Sequence, residues 1–169
     1  MIGHVLILNG TSSAGKTTLA KELQVNLDGV YLHCSIDAFW HMTPPTIGAG
    51  SHNFPHMKLA FAKSVKALAV TGHNVIVDIV FNGKKSYDEL SSALSGIEHV
   101  VVKVDCAIEE LERREISRGD RDVGLARSQI ETVHLNVPYD FIIDTTKLSV
   151  DRAANYLADN VSFVKKRAQ

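Results

Sequence analysis

Apolar residues fall into five short, nearly unbroken runs, at positions 4–9, 30–36, 74–79, 99–105 and 140–144. Segments such as Val-Leu-Ile-Leu at 5–8 and Val-Ile-Val at 75–77 read as strands buried on both faces. Between the runs, apolar residues recur at helical spacing. This predicts helices over 15–27, about 55–71, 84–95, 108–118, about 122–135 and 149–165. In the first, Leu19, Leu23 and Leu27 share a face. Ser149 is placed to cap the last, with Asp151 in its first turn. Strands alternating with helices predict an α/β fold, a parallel sheet between two helical layers. One stretch has no period, residues 40–54, and an irregular segment of that length in a compact chain is usually functional.

The junction of the first strand and first helix reads Gly10-Thr-Ser-Ser-Ala-Gly-Lys-Thr17. Strand, glycine loop and helix are the context of a phosphate-binding loop, GxxxxGK[ST]. Gly10 and Gly15 are expected to take backbone angles closed to other residues, so that the loop can wrap an anion. The amides of Gly10, Thr11, Ser12, Ser13, Ala14, Gly15, Lys16, Thr17 and Thr18 would then face phosphate at the positive end of the helix. Lys16 would reach the β- and γ-phosphates, and the Thr17 hydroxyl would ligate Mg²⁺. ATP with Mg²⁺ is the expected ligand. The guanine-reading [NT]KxD pattern is absent, since Thr146-Lys-Leu-Ser149 has serine where the carboxylate must be. Adenine is therefore expected, held by backbone around 144–148 and side chains of the lid helix.

Composition narrows the partners. At 169 residues the chain is expected to form one domain, 1–169. A net charge of −1 gives no general attraction to nucleic acid or anionic lipid. No apolar run approaches the roughly 18 residues of a membrane span. The first strand starts at once, so no signal peptide and a cytoplasmic location are expected. Cys34 and Cys106 read as buried small hydrophobes. Lys165-Lys166-Arg167 reads as a helix C-terminus complementing its dipole.

In open parallel sheets, ligands sit beyond the carboxyl ends of the strands. Asn9, Asp37, Asp78 and Asp144 end strands there. With strand order 2-3-1-4-5, as in nucleoside-monophosphate-kinase-like P-loop domains, strand 3 lies beside the phosphate loop and strand 2 one place further out. That assigns Asp78 to the metal and Asp37 to the acceptor hydroxyl, as general base or orienting group. The segment Arg113-Arg-Glu-Ile-Ser-Arg-Gly-Asp-Arg121 places arginines about a glycine hinge, as a lid over about 112–124. Within it Arg118 and Arg121 are expected to face phosphate, with Arg114 a further candidate. Glu109, Glu110, Glu112 and Glu115 are alternative, salt-bridging partners for these arginines. His41, His52, His56, Trp40, Phe54 and Met57 crowd an acceptor-pocket loop at about 38–57. Their spacing matches no standard zinc pattern. His33 and His134 read as structural, and His73 and His99 as solvent-facing.

Taken together and in order, Ile7-Leu-Asn-Gly-Thr-Ser-Ser-Ala-Gly-Lys16, Ile36-Asp37, Ile76-Val-Asp-Ile-Val-Phe81, Arg114–Arg121, Gly124-Leu-Ala with Gln129, Val133-His134, Tyr139-Asp140 and Asp144-Thr-Thr146 resemble the chloramphenicol 3-O-phosphotransferase family. The resemblance implies a P-loop kinase fold, ATP- and Mg²⁺-dependent transfer to a primary hydroxyl of a small molecule, a catalytic base at Asp37 and a lid bearing Arg118 and Arg121. Two departures stand out. The family often has a second aspartate after strand 3, where this chain has Ile79. The stretch after Asp37 does not visibly match and is shorter. The kinase chemistry therefore carries over better than chloramphenicol itself.

Two other readings remain open from the sequence. One is a metabolite kinase acting on a nucleotide, sugar acid or shikimate-like acceptor. Anionic acceptors usually need arginines after strand 2, and none lies between Asp37 and Lys58, which favours a neutral, hydroxylated acceptor. The other is a non-catalytic ATP-binding switch, which would need neither the strand-2 carboxylate nor an arginine lid.

Overall fold

The computed structural model describes residues 1–47, 54–118 and 124–167. Strands β1 (Val5–Asn9), β2 (Tyr31–Ser35), β3 (Asn74–Ile79), β4 (His99–Asp105) and β5 (Phe141–Asp144) form one parallel sheet. Their spatial order is β2-β3-β1-β4-β5, the predicted one. All of β1 is buried, as expected of a central parallel strand whose two faces are both covered.

One helical layer contains α1 (Lys16–Asn26), α5 (Ile108–Arg118), α6 (Leu125–Val133) and α7 (Val150–Asn160). It packs Leu19, Leu23, Leu111, Ala126 and Leu157 against Leu6, Leu8, Ile76 and Val104. The other contains the short α2 (Ile36–Trp40), α3 (Phe54–Val70) and α4 (Gly83–Ala93). It packs Ile36, Phe61, Val65 and Leu90 against Val5, Ile7, Val75 and Val77. Successive strand residues thus serve opposite cores, and each fully buried leucine contributes about 1.5–3 kcal/mol. No helix among the described residues is long and apolar enough to cross a membrane.

Two boundaries and the exposure of His99 differ from expectation. The strand at 30–36 ends at Ser35, whose Oγ accepts from the Asp37 amide and caps α2. Asp37, expected at a strand end, therefore sits in the first turn of a helix. His99 is the first residue of β4 and half-buried, with Nδ1 2.9 Å from the Ile97 carbonyl. The last helix stops at Asn160 and not near 165. Val161 is already extended, and Val161 and Val164 reach the core from an irregular turn. Their spacing from Leu157 mimics a helix. Lys165-Lys166-Arg167 is accordingly not a helix end. It lies antiparallel to the chain leaving α1, with Asp28 donating to Lys165 and Arg167 donating to Asn26, each at 2.8 Å.

The strand register aligns the carboxyl ends. Ser35 lies opposite Asp78, Asp78 opposite Leu8, and Asp105 opposite Asp144. Gly10 leaves β1 at this edge for a reason other than the one expected: its φ is not positive. A methyl group there would stand 2.2 Å from the Val104 carbonyl oxygen, in the backbone of β4. Gly10→Ala should therefore lower stability by about 1–3 kcal/mol or more, read as a fall in the urea midpoint. An unchanged midpoint would contradict the close approach of the loop to β4.

Candidate active site

The loop from Gly10 to Gly15 has two residues at positive φ, Ser13 at 60° and Gly15 at 95°. Gly15 meets the conformational demand read from the sequence, while the second such position is a serine. Gly15 also opens α1, which has no side-chain cap and no acidic residue in its first turn. The first amides of α1 are thus left for an anion. Thr11, Ser12, Ser13 and Lys16 are all buried. Ser12 Oγ and Ser13 Oγ are shielded from solvent and find no hydrogen-bond partner among the described residues. Two orphan hydroxyls beside an uncapped helix N-terminus fit a polyphosphate.

Lys16 Nζ donates to the Thr11 carbonyl at 2.8 Å and lies 3.9 Å from Asp78 Oδ1. Thr17 Oγ1 donates to Asp78 Oδ2 at 2.6 Å. Asp78 is only 5% exposed, so desolvation works against its charge. The approach of His33, the Lys16 ammonium and the Thr17 hydroxyl outweigh that cost and hold its carboxyl below the ordinary value. A hydroxyl and a buried carboxylate are hard oxygen donors of the kind Mg²⁺ takes.

These residues line a cleft of about 420 Å³. Its walls bring together Ser12, Ser13, Gly15, Lys16, Thr17 and Thr18 from the loop and α1, Asp37 from α2 and Asp78 from β3. Ile36, Ile79 and Val80 form an apolar wall beside Asp37. At the far end stand Arg113, Arg114, Thr145, Leu148 and Val150.

Among the described side chains of α5, Arg114 reaches the loop. Its Nη1 donates to the Ser13 carbonyl at 3.3 Å and to Thr145 Oγ1 at 3.1 Å, and its Nη2 donates to the Thr145 carbonyl at 3.1 Å. Glu110 fixes the guanidinium from behind at 2.8 Å. Hydrogen bonds from Arg113 and Arg114 hold the Glu110 carboxyl down to about 2. Arg121 and the side chain of Arg118, the arginines favoured from the sequence, lie outside the described residues, as does His52.

Three further groups were not legible as parts of the site. Glu115, read as a surface partner for arginines, is fully buried. It accepts from the amides of Gly124 at 2.9 Å and Ala126 at 2.7 Å, capping α6 from α5. Gln129 on α6 accepts from the Ser12 amide at 2.7 Å. His33 Nε2 stands 3.5 Å from Asp78 Oδ2. Only the predicted pairing of strands 2 and 3 could have flagged His33, since it puts both residues on one face.

Behind the loop, Asn9 is fully buried. Its Oδ1 accepts from the Phe81 amide at 2.8 Å, and its Nδ2 donates to the Val133 carbonyl at 3.0 Å and to the Tyr139 hydroxyl at 2.6 Å. Tyr139 lies 2.6 Å from His134 Nδ1. An unprotonated Nδ1 would accept the phenol proton while the phenol oxygen accepts from Asn9. Burial, joined by the Lys103 ammonium, accordingly pushes His134 down to about 4. Burial also raises Tyr139 to about 12.

Between the ordinary histidine value of 6.5 and about 4, the unfolded chain binds a proton that the folded chain refuses. The contribution of His134 to stability is complete above 6.5 and is lost as pH falls through this window. Chemical denaturation from pH 7 to 4 should show a shallower decline for His134→Gln than for the wild type. Parallel declines would contradict a half-buried imidazole that stays neutral in this window.

Comparison with known proteins agrees with this geometry. The sequence model of a family described as "Chloramphenicol phosphotransferase-like protein" matches residues 3–162. A Mycobacterium tuberculosis protein named "Putative O-phosphotransferase Rv2636" is 30% identical, covering 94% of this chain and 82% of the relative. Among solved structures, the Mycobacterium tuberculosis APS kinase CysC in complex with AMPPNP and APS superposes with a TM-score of 0.73 at 17% identity, covering 94% of this chain and 96% of that one. The Deinococcus radiodurans tunicamycin resistance protein superposes with a TM-score of 0.70 at 18% identity, covering 99% of each chain. These two share the fold, a three-layer P-loop kinase architecture.

Proposed function

The chain belongs to the chloramphenicol phosphotransferase-like family, and from that premise we propose that it is a kinase transferring the γ-phosphate of ATP to a hydroxyl of a small, neutral molecule. Family and fold together support phosphotransfer to a small molecule. One observation carries the finer reading: Asp37, Asp78 and the Lys16–Thr17 pair line the same cleft.

In this reading, the amides opening α1 and the Ser12 and Ser13 hydroxyls receive the phosphate tail. Lys16 leaves the Thr11 carbonyl to meet the β- and γ-phosphates. Thr17 and Asp78 would hold Mg²⁺, which neutralises developing charge on the phosphates when bound. Arg114, braced by Glu110, adds positive charge over the loop. Asp37 accepts the proton of the acceptor hydroxyl as its oxygen bonds to the γ-phosphorus. The bond from that phosphorus to the bridging oxygen breaks, and ADP leaves. The nucleobase would rest at the end of the cleft lined by Thr145, Leu148 and Val150.

The wall beside Asp37, built from Ile36, Ile79 and Val80, offers no positive charge for an anionic acceptor. Neutral alcohols, chloramphenicol among them, should therefore stimulate ADP formation in a coupled assay. Stimulation by sugar acids or nucleotides alone would overturn the neutral-acceptor reading. With an active acceptor, Asp37→Asn should lower kcat by about 10²–10⁴-fold while ATP binding survives. Transfer at the wild-type rate would remove Asp37 from the role of base.

A further inference from the structure

His33 stands close to this chemistry and has no role in the proposed mechanism. It lies in β2 opposite Ile76, one alternation before the pairing of Ser35 with Asp78. It therefore projects on the Asp78 side of the sheet. Its side chain is 17% exposed, and Nε2 itself is shielded from solvent. That nitrogen makes no hydrogen bond among the described residues, yet Asp78 Oδ2 lies 3.5 Å away. The cleft is lined by Asp37 and Asp78, with His33 behind them and not in its wall.

The carboxylate is pulled two ways. Oδ1 turns toward Lys16 at 3.9 Å, and Oδ2 takes the Thr17 proton at 2.6 Å. If Lys16 moves to a phosphate, as the proposed function requires, Asp78 loses that partner. A neutral donor behind the carboxylate would fix its orientation without cancelling the negative charge that a divalent cation needs. A lysine or arginine at the same place would cancel it.

We propose that His33 is a positioning residue, its Nε2–H donating to Asp78 Oδ2 and holding the carboxylate in the orientation required for Mg²⁺ at Thr17 and Asp78. Partners behind a metal ligand typically matter by 10–100-fold in metal affinity. This inference rests on the reading of the chain as a Mg²⁺- and ATP-binding kinase.

The test is calorimetric titration of ATP, with and without Mg²⁺, into wild type, His33→Leu and His33→Gln, with thermal unfolding of each as a check on folding. The gain in ATP affinity on adding Mg²⁺ should shrink about tenfold in His33→Leu. Affinity without Mg²⁺ should stay within about twofold, because His33 Nε2 makes no hydrogen bond to the loop among the described residues. His33→Gln, whose amide nitrogen can reach the place of Nε2, should restore most of the gain. In wild type, the His33 Nε2–H proton resonance should move downfield when Mg²⁺ and ATP are added together.

An unchanged gain in His33→Leu, or an immobile resonance, overturns the proposal. Equal losses with and without Mg²⁺ assign His33 to loop structure and overturn it too. A wild-type protein that binds ATP no better with Mg²⁺ removes the kinase reading itself, a result distinguishable from either.

Discussion

The buried charge of Asp78 is the constraint on which the site depends. Taking a carboxylate out of water costs several kcal/mol, and only close partners offset it. Here they are His33 at 3.5 Å, the Lys16 ammonium at 3.9 Å and the Thr17 hydroxyl at 2.6 Å. Because the last two open α1, the charge fixes the start of that helix against the end of β3. Lys16 and Thr17 are thereby held close before any ligand arrives, which limits the ordering that binding must supply. Such preorganisation is what phosphoryl transfer asks of a protein, since the chemistry needs mainly position and charge.

The loop is held from the opposite side by hydrogen bonds spread over three elements. Gln129 grips the Ser12 amide from α6, Arg114 reaches Ser13 and Thr145 from α5, and Asn9 ties the end of β1 to the end of α6. Thr145 adds a bond from its hydroxyl to the Ala14 carbonyl at 2.8 Å. Glu115 joins α5 to Gly124 and Ala126 at the start of α6. The helices expected to carry a lid are thus bonded to the loop they would cover. A shift of either helix would be felt at Ser12 and Ser13, whose hydroxyls are available for phosphate.

The features legible in the sequence were those with a repeating or local signature. The five apolar runs and the glycine loop point to the sheet and α1, because a doubly covered parallel strand has to be apolar throughout, whereas the strand order follows from the likeness to P-loop kinase domains. Asp78 was legible because it ends such a run. Asp37 lines the cleft from the first turn of a helix and not from a strand end, since Ser35, the cap of α2, reads as part of a strand. Contacts between distant elements were not legible. Glu115 resembles any glutamate on a charged helix until its two backbone partners are known. Among the arginines, the glycine hinge points to Arg118 and Arg121, and no local pattern marks the contact that Arg114 makes with Ser13. The C-terminal tail misled because Val161 and Val164 keep helical spacing while packing from a turn.

The central claim is that the loop at 10–17 grips the phosphate tail of ATP. Phosphorus NMR of ATP and Mg²⁺ titrated with the protein tests it most directly, because it reads the phosphates themselves. The β- and γ-phosphorus resonances should shift and broaden with wild type and stay near their free positions with Lys16→Met. Resonances unmoved by the wild-type protein, or moved equally by both, would contradict the account.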